Sequence, residues 1–176
     1  MKTLICIISM VFLTSVTLLG AEGDFSSKVI HIGVVVSDLE KSLEFYKDVI
    51  GMVQVDQESF DVNANMGRRT GLTDGIPFHV EVLKLGSGSD ASQFKLMSFG
   101  DKAQKQENEY IHNHTGIQYI TIFVNELEPI IKRIKAHNVK MLGETPTLLS
   151  EGTYFISIKD LDGTFIELIG PMKKKD

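Results

Sequence analysis

The sequence predicts an α+β protein built from two βαβββ modules whose curved mixed sheets pair into a trough or half-barrel. Three observations predict it. A strand-to-helix unit stands at "VIHIGVVVSDLEKSLEFYKDVIGM", a matching unit returns at "YITIFVNELEPIIKRIKAHNVKML", and a strand-rich stretch follows each copy. A shift of 88 residues lays His31 on Tyr119, Val36 on Val124, Leu39 on Leu127 and Leu43 on Ile131. A helix that follows one strand and precedes three more covers one face of its sheet and leaves the other free.

In the first copy the β-branched run through Val36 is long enough for one strand. Ser37 and Glu40 then have the spacing of a capping box, each side chain reaching the other's backbone amide. Leu39, Leu43, Tyr46 and Val49 or Ile50 recur at helical spacing, and Gly51 stands where a left-handed residue ends a helix. Strands are expected at "GMVQVDQESF", "FHVEVLKLG" and "SQFKLMSFG", with a polar loop at "DVNANMGRRTGLTDGIP". In the second copy Asn125 and Glu128 take the places of Ser37 and Glu40, and Asn138 offers the stop. Strands are expected there at "VKMLGE", "TYFISIKD" and "GTFIELIG", the last two joined by the tight-turn signal "DLDG". The modules thus run over residues 28–100 and 116–171, joined by a polar linker at 101–115 and followed by a basic tail at 172–176, in one domain overall.

The 176 residues suit one compact domain. Lysine and arginine number 18 against 23 acids, a formal charge of -5, which disfavours nucleic acid as a partner. Residues 1–21 have a basic start, an apolar run and small residues before "AEGD", the layout of a secretory signal peptide. Uncleaved, the same run would be an anchor helix. Cleavage would remove Cys6, the chain's one cysteine, and with it any disulfide or thiolate metal site. The expected location is therefore periplasmic or secreted, with no membrane attachment after cleavage. No phosphate-cradling loop, nucleophile elbow or dinucleotide fingerprint occurs.

These features together resemble the vicinal oxygen chelate superfamily, which includes glyoxalase I, methylmalonyl-CoA epimerase, extradiol dioxygenases, fosfomycin-modifying enzymes and bleomycin-binding proteins. The resemblance covers about residues 28–171 and is most specific in "HIGVVVSDLEKSLEFYKDVIGM", "GIQYITIFVNELEPIIKRI" and "DLDGTFIELIGP". It implies metal-ligand positions on the first and last strands of each module. Carried onto this chain they are His31, Lys95, Tyr119 and Glu167, where the family has two His and one or two Glu. His31 and Glu167 fit that pattern. Lys95 offers an ammonium with no lone pair, and Tyr119 a phenol that coordinates well only as its phenolate. The expectation is therefore no cofactor, with a divalent metal (Zn, Ni, Mn or Fe) as the alternative, and Lys95 taking the cation's place beside Glu167.

His31 is either a ligand, a general acid or base, or an inherited histidine satisfied by hydrogen bonds. Glu167 is either a proton-transferring carboxylate or a structural ion-pair partner. Lys95 and Tyr119 are candidate substrate-binding residues, as are Arg68 and Arg69, which could clamp an anion at the trough mouth. His112 and His114 share a face only if the linker is extended, and His79 reads as a rim residue. The function expected is that of an exported glyoxalase/dioxygenase-like protein binding a small molecule between its modules. As an enzyme it would be a lyase or isomerase moving a proton next to a carbonyl through Glu167 or His31. Ring-cleaving dioxygenase chemistry is disfavoured, because the family's iron triad needs a histidine at the Tyr119 position. The alternative is a metal-free protein that sequesters its ligand, and either form would be a monomer or a homodimer.

Overall fold

The computed structural model describes residues 24–105 and 107–172. The leader expected at residues 1–21 and the tail beyond Met172 lie outside the described residues. Among the described residues no helix is long and apolar enough to cross a membrane.

Strand β1 (Ile32–Val36) leads into α1 (Leu39–Glu44), which continues as wider π-type turns over Phe45–Ile50 and ends at Gly51 with φ 96°. The expected capping box is not what starts this helix. Asp38, one residue later, accepts from the Lys41 amide at 3.1 Å, while the Ser37 amide donates to Asp162 of the second copy. A contact 125 residues away thus claims the backbone group that a local motif had reserved.

The chain continues through β2 (Val53–Gln54), a 3₁₀ turn (Asp56–Glu58), β3 (Phe60–Val62), α2 (Ala64–Thr70), β4 (Phe78–Lys84) and β5 (Gln93–Ser98). The single strand expected over 51–60 is therefore two short ones split by the turn. The expected loop contains α2, started by Asn63, which accepts from the Met66 amide, and stopped by Gly71 at φ 72°. The helix is seven residues long and polar, so it carries little periodicity to see in sequence.

In the second copy β6 (Tyr119–Phe123) leads to α3 (Glu128–Ala136), then β7 (Thr147–Ser150), β8 (Thr153–Lys159) and β9 (Phe165–Pro171). Here the cap position is Leu127 rather than Asn125, with no side-chain cap bond. The Leu127 amide donates to Pro171 O at 3.0 Å, and Pro129 fills the first turn, where its missing N–H costs nothing. Asn138, at φ 54°, follows the helix as expected. "VKMLGE" forms no strand, although the Leu142 amide does reach Ser157 O at 2.8 Å; the outer strand is β7, beyond the left-handed turn at Gly143.

The first sheet runs β1-β5-β4-β2 with β3 also on β4, and the second runs β6-β9-β8-β7. In both, the opening strand lies parallel to the closing one, and the other pairs are antiparallel. The repeat in sequence is thus a repeat in topology. One core joins the copies: Tyr46, Val49, Leu83 and Leu96 from the first pack with Leu127, Ile134, Ile156 and Leu168 from the second. Arg133 donates to Val49 O and Ile50 O at 2.9 and 3.0 Å, placing a cation on the carbonyl end of the first helix. Buried Tyr46 donates to Asp160 at 2.7 Å, and Asp160 in turn accepts from the amides of Asp162 and Thr164 in the "DLDG" turn.

The first sheet carries a second cluster. Val62, Phe78, Val80 and Val82 are buried on the face away from the main core, with Met97 and Phe99 against them and the Phe78 and Phe99 rings stacked at 4.7 Å. That face is a packed surface over much of its area.

Candidate functional site

Successive strand residues point to opposite faces, so the isoleucines and leucines of β6, β8 and β9 that enter the core leave their neighbours facing out. Strand register sets nine of these outward residues in three rows. Tyr119, Phe165 and Lys159 form the first, Thr121, Glu167 and Ser157 the second, and Phe123, Ile169 and Phe155 the third. Glu167 is at the centre, with a hydroxyl on either side along its row and apolar side chains before and after it on its own strand.

Thr121 Oγ1 donates to Glu167 Oε2 at 2.6 Å. This bond fixes the carboxylate and leaves Oε1 without a protein donor among the described residues. Lys159 stands diagonal to Glu167 but does not pair with it. Its ammonium lies 4.4 Å from the Phe165 ring centroid and donates to Asn108 O and, at 2.9 Å, to Glu109 O. Those carbonyls belong to the linker, so Lys159 ties that segment over the second sheet. Between them lies a cleft of about 710 Å³, walled by Tyr119, Phe155, Phe165 and Tyr110, with Glu167 and Ser157 on its floor. Lys140, Leu142 and Glu144 close another side. The other clefts described here are about 160–230 Å³.

Of the residues singled out in the sequence, Tyr119 and Glu167 come together in this cleft with His112 at its edge, and the rest lie elsewhere. His31 is exposed ahead of β1, and its Nδ1 accepts from the Gln93 amide at 3.0 Å. An amide only donates, so the Nδ1 lone pair is taken, and in the neutral ring the proton is on Nε2. His31 held this way offers no lone pair to a metal and no base to a substrate. Lys95 lies on β5 in the first sheet, and among the described residues no ion pair joins it to Glu167; the Thr121 hydroxyl takes the place expected of that ammonium. Arg68 and Arg69 fall in the last turn of α2, exposed, and line no part of the cleft.

Each of the other histidines has a neighbour of its own, and His137 Nδ1 lies 3.5 Å from Glu44 Oε1. His79 bridges Asp61 and Glu81 at 2.7 and 2.9 Å, which raises its pKa, Glu81 contributing most, and staples β3 to β4. His112 stacks on Tyr110 at the cleft edge, whereas His114 turns to Glu107 O. Among the described residues no three or more His, Cys, Asp or Glu side chains are grouped to hold a metal ion.

Residues 28–168 match the model of the Glyoxalase/Bleomycin resistance protein/Dioxygenase superfamily. The chain belongs to this superfamily. Among superfamily relatives, it is similar to the mitochondrial methylmalonyl-CoA epimerase of Dictyostelium discoideum, at 23% identity over 143 residues, covering 80% of this chain and 76% of that protein. Its fold matches that of a glyoxalase family protein from Bacillus cereus, with TM-score 0.67 and 17% identity over 88% of this chain and 99% of that one. It also matches a variant of the fosfomycin resistance protein FosX of Listeria monocytogenes solved with Mn(II) and dihydroxypropylphosphonic acid, with TM-score 0.54 and 20% identity over 82% and 92% of the two chains. In this superfamily chain the four implied ligand positions do not make a divalent-ion site: one lone pair is engaged, one group is an ammonium and one is a phenol, which leaves the Glu167 carboxylate alone with an oxygen to offer.

What the sequence reading missed is the role of Lys159 and the aromatic walls. The alternation Phe155, Ser157, Lys159 in "TYFISIKD" is the signal that carried them, since it marks the face turned from the core.

Proposed function

We propose that this superfamily member is an exported protein that binds a small molecule in the cleft on its second sheet without a divalent metal. The observation that carries the reading is the division of labour among the four implied ligand positions. Glu167 and Tyr119 line an aromatic cleft of about 710 Å³, within the range of small-molecule sites, while the lone pair of His31 is spent on the Gln93 amide.

A thermal-shift screen over glutathione adducts, CoA thioesters, catechols and glycopeptides, run with and without EDTA, tests it, because a ligand that binds only the folded state stabilises it. The expected hit raises the melting temperature equally in both buffers. Phe155→Ala weakens it by about tenfold or more, the loss of roughly 1.4 kcal/mol of contact. A shift that disappears in EDTA and returns with Zn or Mn overturns the reading.

A second reading has one observation in its favour. Glu167, with Oε2 held by Thr121 and Oε1 free of protein donors, is placed as a general base would be, and the epimerase relative belongs to a class that moves protons next to a carbonyl. As a lyase or isomerase, the protein would exchange that proton for deuterium in D₂O with a bound thioester, and Glu167→Gln would abolish the exchange.

A further inference from the structure

The carboxylate at the centre of the nine-residue face has no cation of its own. Of the two lysines at the cleft, Lys159 is committed to the linker carbonyls and the Phe165 ring, and Lys140 is exposed at the rim, on the side that also holds Glu144. The cleft lining carries three carboxylates, Glu109, Glu144 and Glu167, against these two ammonium groups. Around Glu167 the near neighbours are hydroxyls and rings. A carboxylate in half-apolar surroundings gains from an opposite charge that completes its hydrogen bonds.

The rings point to the same chemistry. An aromatic face attracts a cation within about 6 Å of its centroid, and this cleft already shows the contact, with the Lys159 ammonium over Phe165. Tyr119 and Phe155 stand at opposite diagonals from Glu167 and present further ring surface in the same cleft. An anionic ligand would meet Glu167 with no ammonium hydrogen-bonded to it, and Lys95, the lysine expected beside Glu167, lies on the first sheet.

We infer that the ligand of this cleft is an organic cation, an aromatic or apolar body bearing a protonated amine that donates to Glu167 Oε1 and rests against Tyr119 and Phe155. This inference rests on the proposed small-molecule role and adds the sign of the ligand's charge.

Two probes of matched size and opposite charge, phenethylammonium and phenylpropionate, decide it by calorimetric titration of the full mature chain. The expected result is that phenethylammonium binds about tenfold or more tightly than phenylpropionate, that Glu167→Gln brings the two within about twofold, and that Phe155→Ala weakens both. Glu167→Gln keeps the shape of the side chain and its bond from Thr121, and an unchanged melting temperature shows that it folds. Preferred binding of phenylpropionate, lost in Phe155→Ala, overturns the charge assignment and leaves the small-molecule role standing. Binding of neither probe, or binding indifferent to Phe155→Ala, overturns both. A preference for the cation that survives Glu167→Gln overturns the assignment of Glu167.

Discussion

Tyr46→Ala is expected to destabilise the protein by about 3–5 kcal/mol, the cost of emptying a fully buried aromatic position. Tyr46→Phe is expected to cost about 1–3 kcal/mol, because it leaves the buried Asp160 carboxylate short of a donor. The two variants separate the work of the ring from that of the hydroxyl. The ring packs edge-on to Phe45 at 5.0 Å and tilted on Phe94 at 4.6 Å, while the hydroxyl crosses to the second copy. The pH dependence follows from Asp160. Burial raises its pKa above the ordinary 3.8, and the hydrogen bond from Tyr46 opposes that rise. A carboxyl whose folded pKa is raised contributes fully below its unfolded pKa, and that contribution is lost as pH rises through the folded value. Removing the hydroxyl raises the folded value further, so the cost of Tyr46→Phe is greater at pH 7 than near pH 4. Urea unfolding at the two pH values checks this, and a cost independent of pH would sink the role given to the hydroxyl.

Gly170→Ala is expected to cost about 1–3 kcal/mol or somewhat more, as a forced overpacking against backbone. A Cβ at this position would stand 2.4 Å from the Val124 carbonyl oxygen. Backbone yields less readily than a side-chain end. The Val124 amide donates to Ile169 O at 2.8 Å, so the clash falls where β6 is laid against β9. Those two strands carry Thr121 and Glu167 in register, so the variant is expected to loosen the site as well as the fold. A lower melting temperature together with weaker phenethylammonium binding is the predicted outcome. Full stability would show that the strands separate there without cost.

The two copies were readable because their signals are local. Helical spacing from Leu39 to Ile50, the glycine at 51 and the asparagine at 138 act within a few residues of themselves, and each stands in the structure where the sequence put it. The first cap is not legible because its amide is claimed from afar, Ser37 by Asp162, and the second because the helix takes Leu127 rather than Asn125 as its cap position. The site was half legible for the same reason. Glu167 and Tyr119 lie on the strands that the repeat identifies, but nothing local to His31 shows that Gln93 takes its lone pair, and nothing local to Lys159 shows that it reaches Asn108 and Glu109. The cluster of Val62, Phe78, Val80 and Val82 on the outer face of the first sheet depends likewise on how three strands and a loop come together. A strand pattern alone reads such a face as open.

The ligand site proposed for the second sheet works without a divalent metal. Calorimetric titration of Zn, Ni and Mn into protein stripped with chelator tests it most directly. No saturable binding at about one ion per chain is expected. One ion held per chain, with affinity lost in His31→Ala and in Glu167→Gln, would contradict it.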